Sequence, residues 1–295
     1  MERVGFIGLG TMGGPMAANI RRRQFPMVVH DLRPDAVARL VELGAETADE
    51  AAAVARRADV VITMLPGPKE VAAIVAAILA EARPGMLLMD MSTVDPETTD
   101  AAAAACRAKG IGFVDAPVGR LSQHAERGES LFMVGAEADD FARVKPLLEA
   151  MGTTIHHCGG PGAGTRTKLV NNLMTVCLCA LNAEALTLAS AFGLDLDKTL
   201  AVLNGTTAVN GQLSVNYPNK TLAGDLAPGF MVDLAHKDLS LILAAGNAAT
   251  VPLAATAAIR EIYSIARGAG RGRQDMTAVL DTLCDLAGVA APRQR

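Results

Sequence analysis

Four groups of residues in this chain have the types and spacing to do chemistry. The first is Gly8-Leu9-Gly10-Thr11-Met12-Gly13, a G-x-G-x-x-G that follows an apolar run and opens a helical pattern through Met16, Ala17 and Ile20. Its glycines permit a tight turn, let a pyrophosphate approach backbone N–H groups at a helix N-terminus, and let helix pack closely on strand. About 20 residues on, Asp31 ends a second apolar run, either to hold the hydroxyls of an adenosine ribose or to cap a strand end. The second group is Lys168, Asn172, Thr175, Cys179 and Asn182, spaced alternately by four and three along a stretch free of proline and glycine from Thr165 to Ala191. That spacing draws a polar stripe down one helix face, serving either as an inter-helix seam or as a catalytic face. Third is the polar segment Gly119–Gly128, with Arg120, Leu121 and Ser122, set between two apolar strands where loops bind ligands. Arg120 follows Pro117-Val118-Gly119, where a sharp turn could aim its guanidinium inward as a fork for an oxyanion; the alternative is a solvated arginine. Fourth, His236-Lys237-Asp238 at the opening of a helix and Arg271-Gly272-Arg273 near the end are either chemical or charged surface.

The elements that must position these groups fall into two sets. Up to Cys158, strand patterns (3–8, 27–30, 60–64, 86–89, 112–115, 130–134, 154–158) alternate with helical ones (36–43, 50–55, 69–82, 96–109, 140–151), the rhythm of an α/β domain with a parallel sheet and crossover helices. Such sheets bind ligands beyond the carboxyl ends of their strands, so Leu65-Pro66 and Ser92-Thr93 are expected to edge a cofactor. Ser92 and Thr93 also read as the cap of the next helix. Gly159–Gly164 reads as a linker, and beyond it the pattern is helical only: the long stretch 165–191, then 197–203, 234–249, 253–268 and 277–286, with 204–233 irregular. The expected division is 1–162 for the dinucleotide-binding part and 163–295 for an all-helical part.

Composition narrows the class. Of 295 residues, 51% are hydrophobic and 20% charged, enough apolar matter for two cores. The net charge of −4 argues against a nucleic-acid partner. No apolar run reads as long and uncharged enough to cross a bilayer, and a strand-like segment at the start leaves no room for a signal peptide, so a cytoplasmic protein is expected. The odd number of cysteines, without C-x-x-C spacing, suggests reduced core thiols, and the five histidines lack metal-ligand spacing, so no metal is expected.

Four landmarks in order, FIGLGTMGGPMAANI at 6–20, DAPV at 115–118, GPGAGTRTKLVNN at 160–172 and HKDLSL at 236–241, resemble the β-hydroxyacid dehydrogenases, the family of 3-hydroxyisobutyrate dehydrogenase and 6-phosphogluconate dehydrogenase. The resemblance covers nearly the whole chain. It implies a Rossmann-type N-terminal domain with a doubly wound parallel sheet, a long interdomain helix, an all-α C-terminal domain and a homodimer or homotetramer. It further implies NAD(H) as cofactor, Lys168 as catalytic acid/base, Asn171 and Asn172 on the substrate, and Lys237 lining the cofactor and substrate cleft. Where most members carry Ser-Gly-Gly as a carboxylate cradle, this chain has Gly119-Arg120-Leu121, similar to the sulfolactaldehyde reductase branch. The implied reaction is NADH-dependent reduction of a short anionic aldehyde, 3-sulfolactaldehyde foremost, with succinic semialdehyde reductase or 3-hydroxyisobutyrate-type activity as the alternative. A non-catalytic cofactor sensor is a third reading, against which Lys168 stands.

Overall fold

The computed structural model describes residues 1–294 and separates into two compact units, Met1–Lys168 and Leu169–Arg295.

In chain order the first unit contains β1 (Val4–Ile7), α1 (Gly13–Arg22), β2 (Met27–His30), α2 (Pro34–Glu42), β3 (Glu46–Thr47), α3 (Ala51–Arg57), β4 (Val60–Thr63), α4 (Pro68–Ala80), β5 (Leu87–Asp90) and α5 (Pro96–Ala108). There follow β6 (Gly112–Asp115), β7 (Val118–Gly119), α6 (Ser122–Glu126), β8 (Ser130–Gly135), α7 (Ala138–Met151) and β9 (Gly152–Gly159). The sheet order is β3-β2-β1-β4-β5-β6-β8-β7, with β9 paired to β8. From β3 to β6 this is the 3-2-1-4-5-6 order of a Rossmann-type, doubly wound sheet. The strands read as continuous apolar runs because both faces are covered. Val4, Phe6, Val60, Ile62, Leu87 and Met89 join the core on one face, and Ile7, Val61 and Leu88 join that on the other. Helix starts follow local chemistry: α2, α4 and α5 open on a proline, whose missing N–H costs nothing in a first turn.

The second unit is helical. It takes over α8 (Ala163–Ala191) after Lys168 and adds α9 (Leu196–Asn204), α10 (Tyr217–Asn219), α11 (Val232–Ala248), α12 (Ala254–Gly268) and α13 (Val279–Ala287), around a core that includes Val176, Ala180, Tyr217, Leu239 and Tyr263.

Several expectations are corrected. The segment 119–128 is not wholly a loop: it holds the end of β7 and all of α6. Residues 204–233 contain a π turn at Gln212–Asn216, α10 and a 3-10 turn at Thr221–Ala223. His236 does not open its helix, which begins at Val232. Helix α8 is, by length and composition, apolar enough to cross a membrane, contrary to the expectation that no such run exists. Its many Leu, Val, Met, Cys and Ala residues keep its hydropathy high despite the inward polar residues Asn172 and Asn182. In its most apolar window 44% is buried inside the protein, and Val176, Cys179 and Ala183 are core residues.

Candidate active site

The sheet register sets up the first unit's site. Ile7 pairs with His30 and Thr63, Thr63 with Asp90, and Asp90 with Asp115, so β1, β2, β4, β5 and β6 end in one row. The segments leaving that edge are Gly8–Gly13, Asp31, Leu65-Pro66, Ser92-Thr93 and Ala116–Val118. They gather beyond the carboxyl ends of the strands, where such sheets take ligands.

The glycines of the first segment divide the work. Gly8 has φ +94°, and a Cβ there would lie 2.2 Å from the Met64 carbonyl oxygen. A Cβ on Gly13 would lie 2.0 Å from the Gly8 oxygen, so α1 can approach β1 only with glycine. Gly10 faces open space, as a backbone that receives a pyrophosphate requires. Leu9, Gly10, Thr11 and Gly14 line a cleft of about 490 Å³ with Arg22, Arg33 and Glu126. Met12 is half-buried against the core. Asp31 ties the turn together: Oδ2 accepts from Leu9 N at 2.6 Å and Oδ1 from Arg33 N at 2.8 Å. The Arg33 guanidinium donates to the Leu9 carbonyl at 3.1 Å. These residues suit a dinucleotide, with N–H groups and a helix N-terminus for phosphate and a carboxylate for ribose hydroxyls.

Two buried carboxylates at adjacent strand ends organise the loops beyond them: Asp115 opens the DAPV landmark, and Asp90 carries no local signal in the sequence that marks it as a site residue. Asp90 Oδ1 accepts from the Thr63 hydroxyl at 2.8 Å, the Ser92 hydroxyl at 2.6 Å and Ser92 N at 3.2 Å. Ser92 Oγ in turn accepts from Leu65 N at 2.9 Å, so one carboxylate fixes both the Leu65-Pro66 and the Ser92-Thr93 loops. Capping of α5 falls to Asp95, which accepts from Thr98 N, and not to Ser92 or Thr93. Asp115 accepts from Gly162 N and Thr165 N, each at 2.6 Å, and so closes the N-terminus of α8. Burial pushes both carboxyls above their usual range, opposed by these hydrogen bonds.

Three residues past Asp115, the Val118 carbonyl accepts from Lys168 Nζ at 2.7 Å, and Lys168 is only 9% exposed. The lysine is thus set by a clamp at each end: Asp115 holds its helix, Val118 its ammonium. Arg120 goes elsewhere. It is exposed, with φ +71°, and donates to the Glu129 carbonyl and to the hydroxyls of Thr153 at 3.1 Å and Thr154 at 3.0 Å. The inward aim expected for it is corrected by β7, which continues β6 in the same register antiparallel to β8 and so delivers Arg120 to the start of β8 and β9. Leu121 N donates to His124 Nδ1 at 3.4 Å, and Ser122 begins α6.

In the second unit, Asn172 Nδ2 donates to Asp238 Oδ2 at 2.6 Å, and Asn172 Oδ1 accepts from Asn171 at 3.0 Å. Lys237 Nζ lies 3.2 Å from Asp238 Oδ1. Asp238 is buried and joins Asn172 to Lys237; its only signal in the sequence is its place after that lysine. Arg271 is committed to Asp285 and Gln274, away from this group of contacts. Cys106 and Cys179 are pushed by burial up to about 12 and are inert thiols.

Comparison with known proteins shows the family. Residues 3–160 match the family described as the NAD binding domain of 6-phosphogluconate dehydrogenase, and residues 162–283 that described as NAD-binding of NADP-dependent 3-hydroxyisobutyrate dehydrogenase. The chain is 43% identical over 294 residues to 3-sulfolactaldehyde reductase of Escherichia coli (strain K12), covering 99% of each. It is 40% identical over 276 residues to 3-hydroxyisobutyrate dehydrogenase of Pseudomonas aeruginosa, covering 90% of this chain and 92% of that one. A solved structure of Mycobacterium tuberculosis 3-hydroxyisobutyrate dehydrogenase with L-serine superposes with TM-score 0.89 at 31% identity, over 96% of this chain and 99% of that one. The chain belongs to the β-hydroxyacid dehydrogenase family, in its 3-hydroxyisobutyrate dehydrogenase-related part, and is an oxidoreductase that uses a nicotinamide cofactor.

Proposed function

We propose that this oxidoreductase reduces a short aldehyde with an anion at its far end, 3-sulfolactaldehyde to 2,3-dihydroxypropane-1-sulfonate in the first instance, with NADH. The observation that carries the reading is the buried ammonium of Lys168, held on Val118 two residues before Arg120. When bound, the nicotinamide supplies a hydride to the aldehyde carbon. Lys168 gives a proton from Nζ to the aldehyde oxygen as negative charge develops there, so the alkoxide is neutralised as it forms. The Val118 carbonyl keeps the ammonium aimed while it waits. Asn172, one turn further along α8, has one N–H on Asp238 and a second to offer the same oxygen. Gly8–Gly13 would hold the pyrophosphate, Asp31 the ribose hydroxyls, and Leu65, Pro66 and Thr93 the nicotinamide side.

Arg120 is the proposed partner of the sulfonate, and Leu121 and Ser122 flank it. Its positive φ supports this: the left-handed region costs a residue with a Cβ about 1 kcal/mol, and such strain collects at functional positions. The guanidinium would have to leave Thr153 and Thr154, a small rearrangement for an exposed arginine on neutral acceptors. Carboxylate semialdehydes and 3-hydroxyisobutyrate are the second reading, favoured by that engagement, since backbone amides alone can hold a carboxylate. The deciding experiment compares steady-state NADH oxidation on 3-sulfolactaldehyde, succinic semialdehyde and uncharged glyceraldehyde for wild type and Arg120→Ala. The variant is expected to lose about 10–100-fold in kcat/KM on sulfolactaldehyde and little on glyceraldehyde. Equal losses on both would sink the sulfonate assignment.

NADH is preferred over NADPH in this reading, because Asp31 would meet a 2′-phosphate with like charge. A higher kcat/KM with NADPH would overturn the preference. The working form is a homodimer or homotetramer: Val170, Met174, Leu181 and Leu188 along one side of α8, and Phe192 just past its end, have large exposed apolar surface, which a second copy of the chain would cover. A soluble, cytoplasmic setting fits an enzyme that draws on the NADH pool.

A further inference from the structure

One buried amide in the first unit has no part in the chemistry above. Asn19 lies on the inward face of α1 among Met16, Ala17 and Ile20, where an apolar residue would be the ordinary choice. A buried amide is costly unless its hydrogen bonds are made. Here they are: Nδ2 donates to the Ala125 carbonyl at 2.7 Å, across 106 residues of sequence, and Oδ1 accepts from Arg22 at 2.8 Å.

The acceptor explains the donor. Helix α6 has five residues, too few to hold itself together, and Ala125 is in its last turn, where carbonyls lack helical partners. Gly128 N supplies one donor to that oxygen at 3.2 Å, and Asn19 supplies the other and shorter bond. The far side of the same amide meets Arg22, which lines the 490 Å³ cleft together with Glu126 of α6. A short run of contacts therefore joins the cleft below the G-x-G-x-x-G turn to the segment that begins at Arg120.

We propose that Asn19 is a positioning residue for the substrate: by fixing Ala125 to α1, it holds the Arg120–Gly128 segment in register with the helix whose N-terminus receives the cofactor. The proposal rests on the reading that this segment meets the anionic end of the substrate. Asn19→Asp keeps the shape and the Arg22 pair but removes the donor, and Asn19→Ala removes both. Each is expected to raise KM for 3-sulfolactaldehyde about tenfold while KM for NADH and kcat/KM for glyceraldehyde stay within about twofold. A purely structural amide would lower the unfolding temperature without that split.

Arg120→Ala is measured beside them. If it loses selectively on sulfolactaldehyde while both Asn19 variants keep that KM within about twofold, the positioning role is wrong and the reading of the segment stands. If Arg120→Ala is not selective, the reading itself fails and takes the proposal with it. Should neither Asn19 variant fold, amide hydrogen exchange on the wild-type protein decides. The amides of Gly128 and Glu129 are expected to be protected about 100-fold or more, opening together with α1. Exchange at the rate of a free surface loop would overturn the proposal.

Discussion

The polar stripe on α8 has two halves that look alike in sequence and differ in what they meet. Toward the C-terminal end, Asn182 and Asn210 exchange amide hydrogen bonds at 2.9 and 3.0 Å, the Tyr217 hydroxyl donates to the Cys179 carbonyl at 2.7 Å, and Tyr263 donates to the Val176 carbonyl at 3.0 Å. Each of these groups is neutral, and they bond to one another. Toward the N-terminal end, Lys168 rests on the Val118 carbonyl, Asn172 rests on the buried carboxylate of Asp238, and Asp115 closes the helix start. Ionisable groups here are buried. A seam minimises the free energy of the folded chain; a site that moves protons must keep groups whose charge can change. The same four-and-three spacing serves both, and partner chemistry separates them.

Substitution should separate them more sharply. Lys168→Ala is expected to lower kcat by about two to four orders of magnitude, the usual weight of a positioned acid/base. Its unfolding midpoint should change little, because the desolvation cost removed with a buried ammonium offsets the hydrogen bond lost at the Val118 carbonyl. Asn182→Ala should do the reverse. It removes the reciprocal pair with Asn210, which keeps its bonds to the Ala208 carbonyl and Leu213 N, at a cost of about 1 kcal/mol in stability, while kcat stays within about twofold. The comparison breaks if the two variants trade effects, with Lys168→Ala unfolding the protein and Asn182→Ala abolishing turnover.

Why the sequence leaves the two halves unseparated comes down to where the information lies. The sheet is legible because burial on both faces writes each strand as an unbroken apolar run, and Pro96 marks the start of α5, while α2 and α4 begin at Pro34 and Pro68, ahead of the starts expected at 36 and 69. The G-x-G-x-x-G turn is legible because Gly8 and Gly13 answer backbone demands made within a few residues. The two-residue strands β3 and β7 carry no period to detect, and β7 hides the continued pairing with β8 that carries Arg120 to Thr153 and Thr154. Asp90, Asn19 and Asp238 stay hidden for another reason. Asn19 finds its acceptor 106 residues away and Asp238 its amide donor 66 residues away, and nothing at the residue itself reports such a partner.

The smallest effect expected is on pH dependence, and it tests whether charge separates the two halves. Asp115 is buried with its carboxyl raised, so between its unfolded and folded values the native state holds a proton that the unfolded chain has released. Its contribution to stability is then fully present below the unfolded value of about 3.9 and is lost as pH rises through the folded one. Cys179, raised to about 12, stays protonated in the folded protein throughout. It adds no slope below about pH 8, where the unfolded thiol is neutral as well. Asp115→Asn should therefore have a flatter stability curve than wild type from about pH 4 upward. It should also be less stable at the acid end by about 1–2 kcal/mol, because an amide N–H would face Gly162 N or Thr165 N where an acceptor is needed. The gap between variant and wild type should narrow as pH rises. Cys179→Ala should run parallel to wild type over the same range, offset by a constant. Denaturant midpoints at pH 4.5, 6 and 7.5 for the three proteins make the test (conditions spanning about three pH units above the carboxylate range). Parallel curves for Asp115→Asn and wild type would mean that Asp115 is an ordinary helix cap, and the N-terminal half of the stripe would have lost one of the ionisable groups that set it apart.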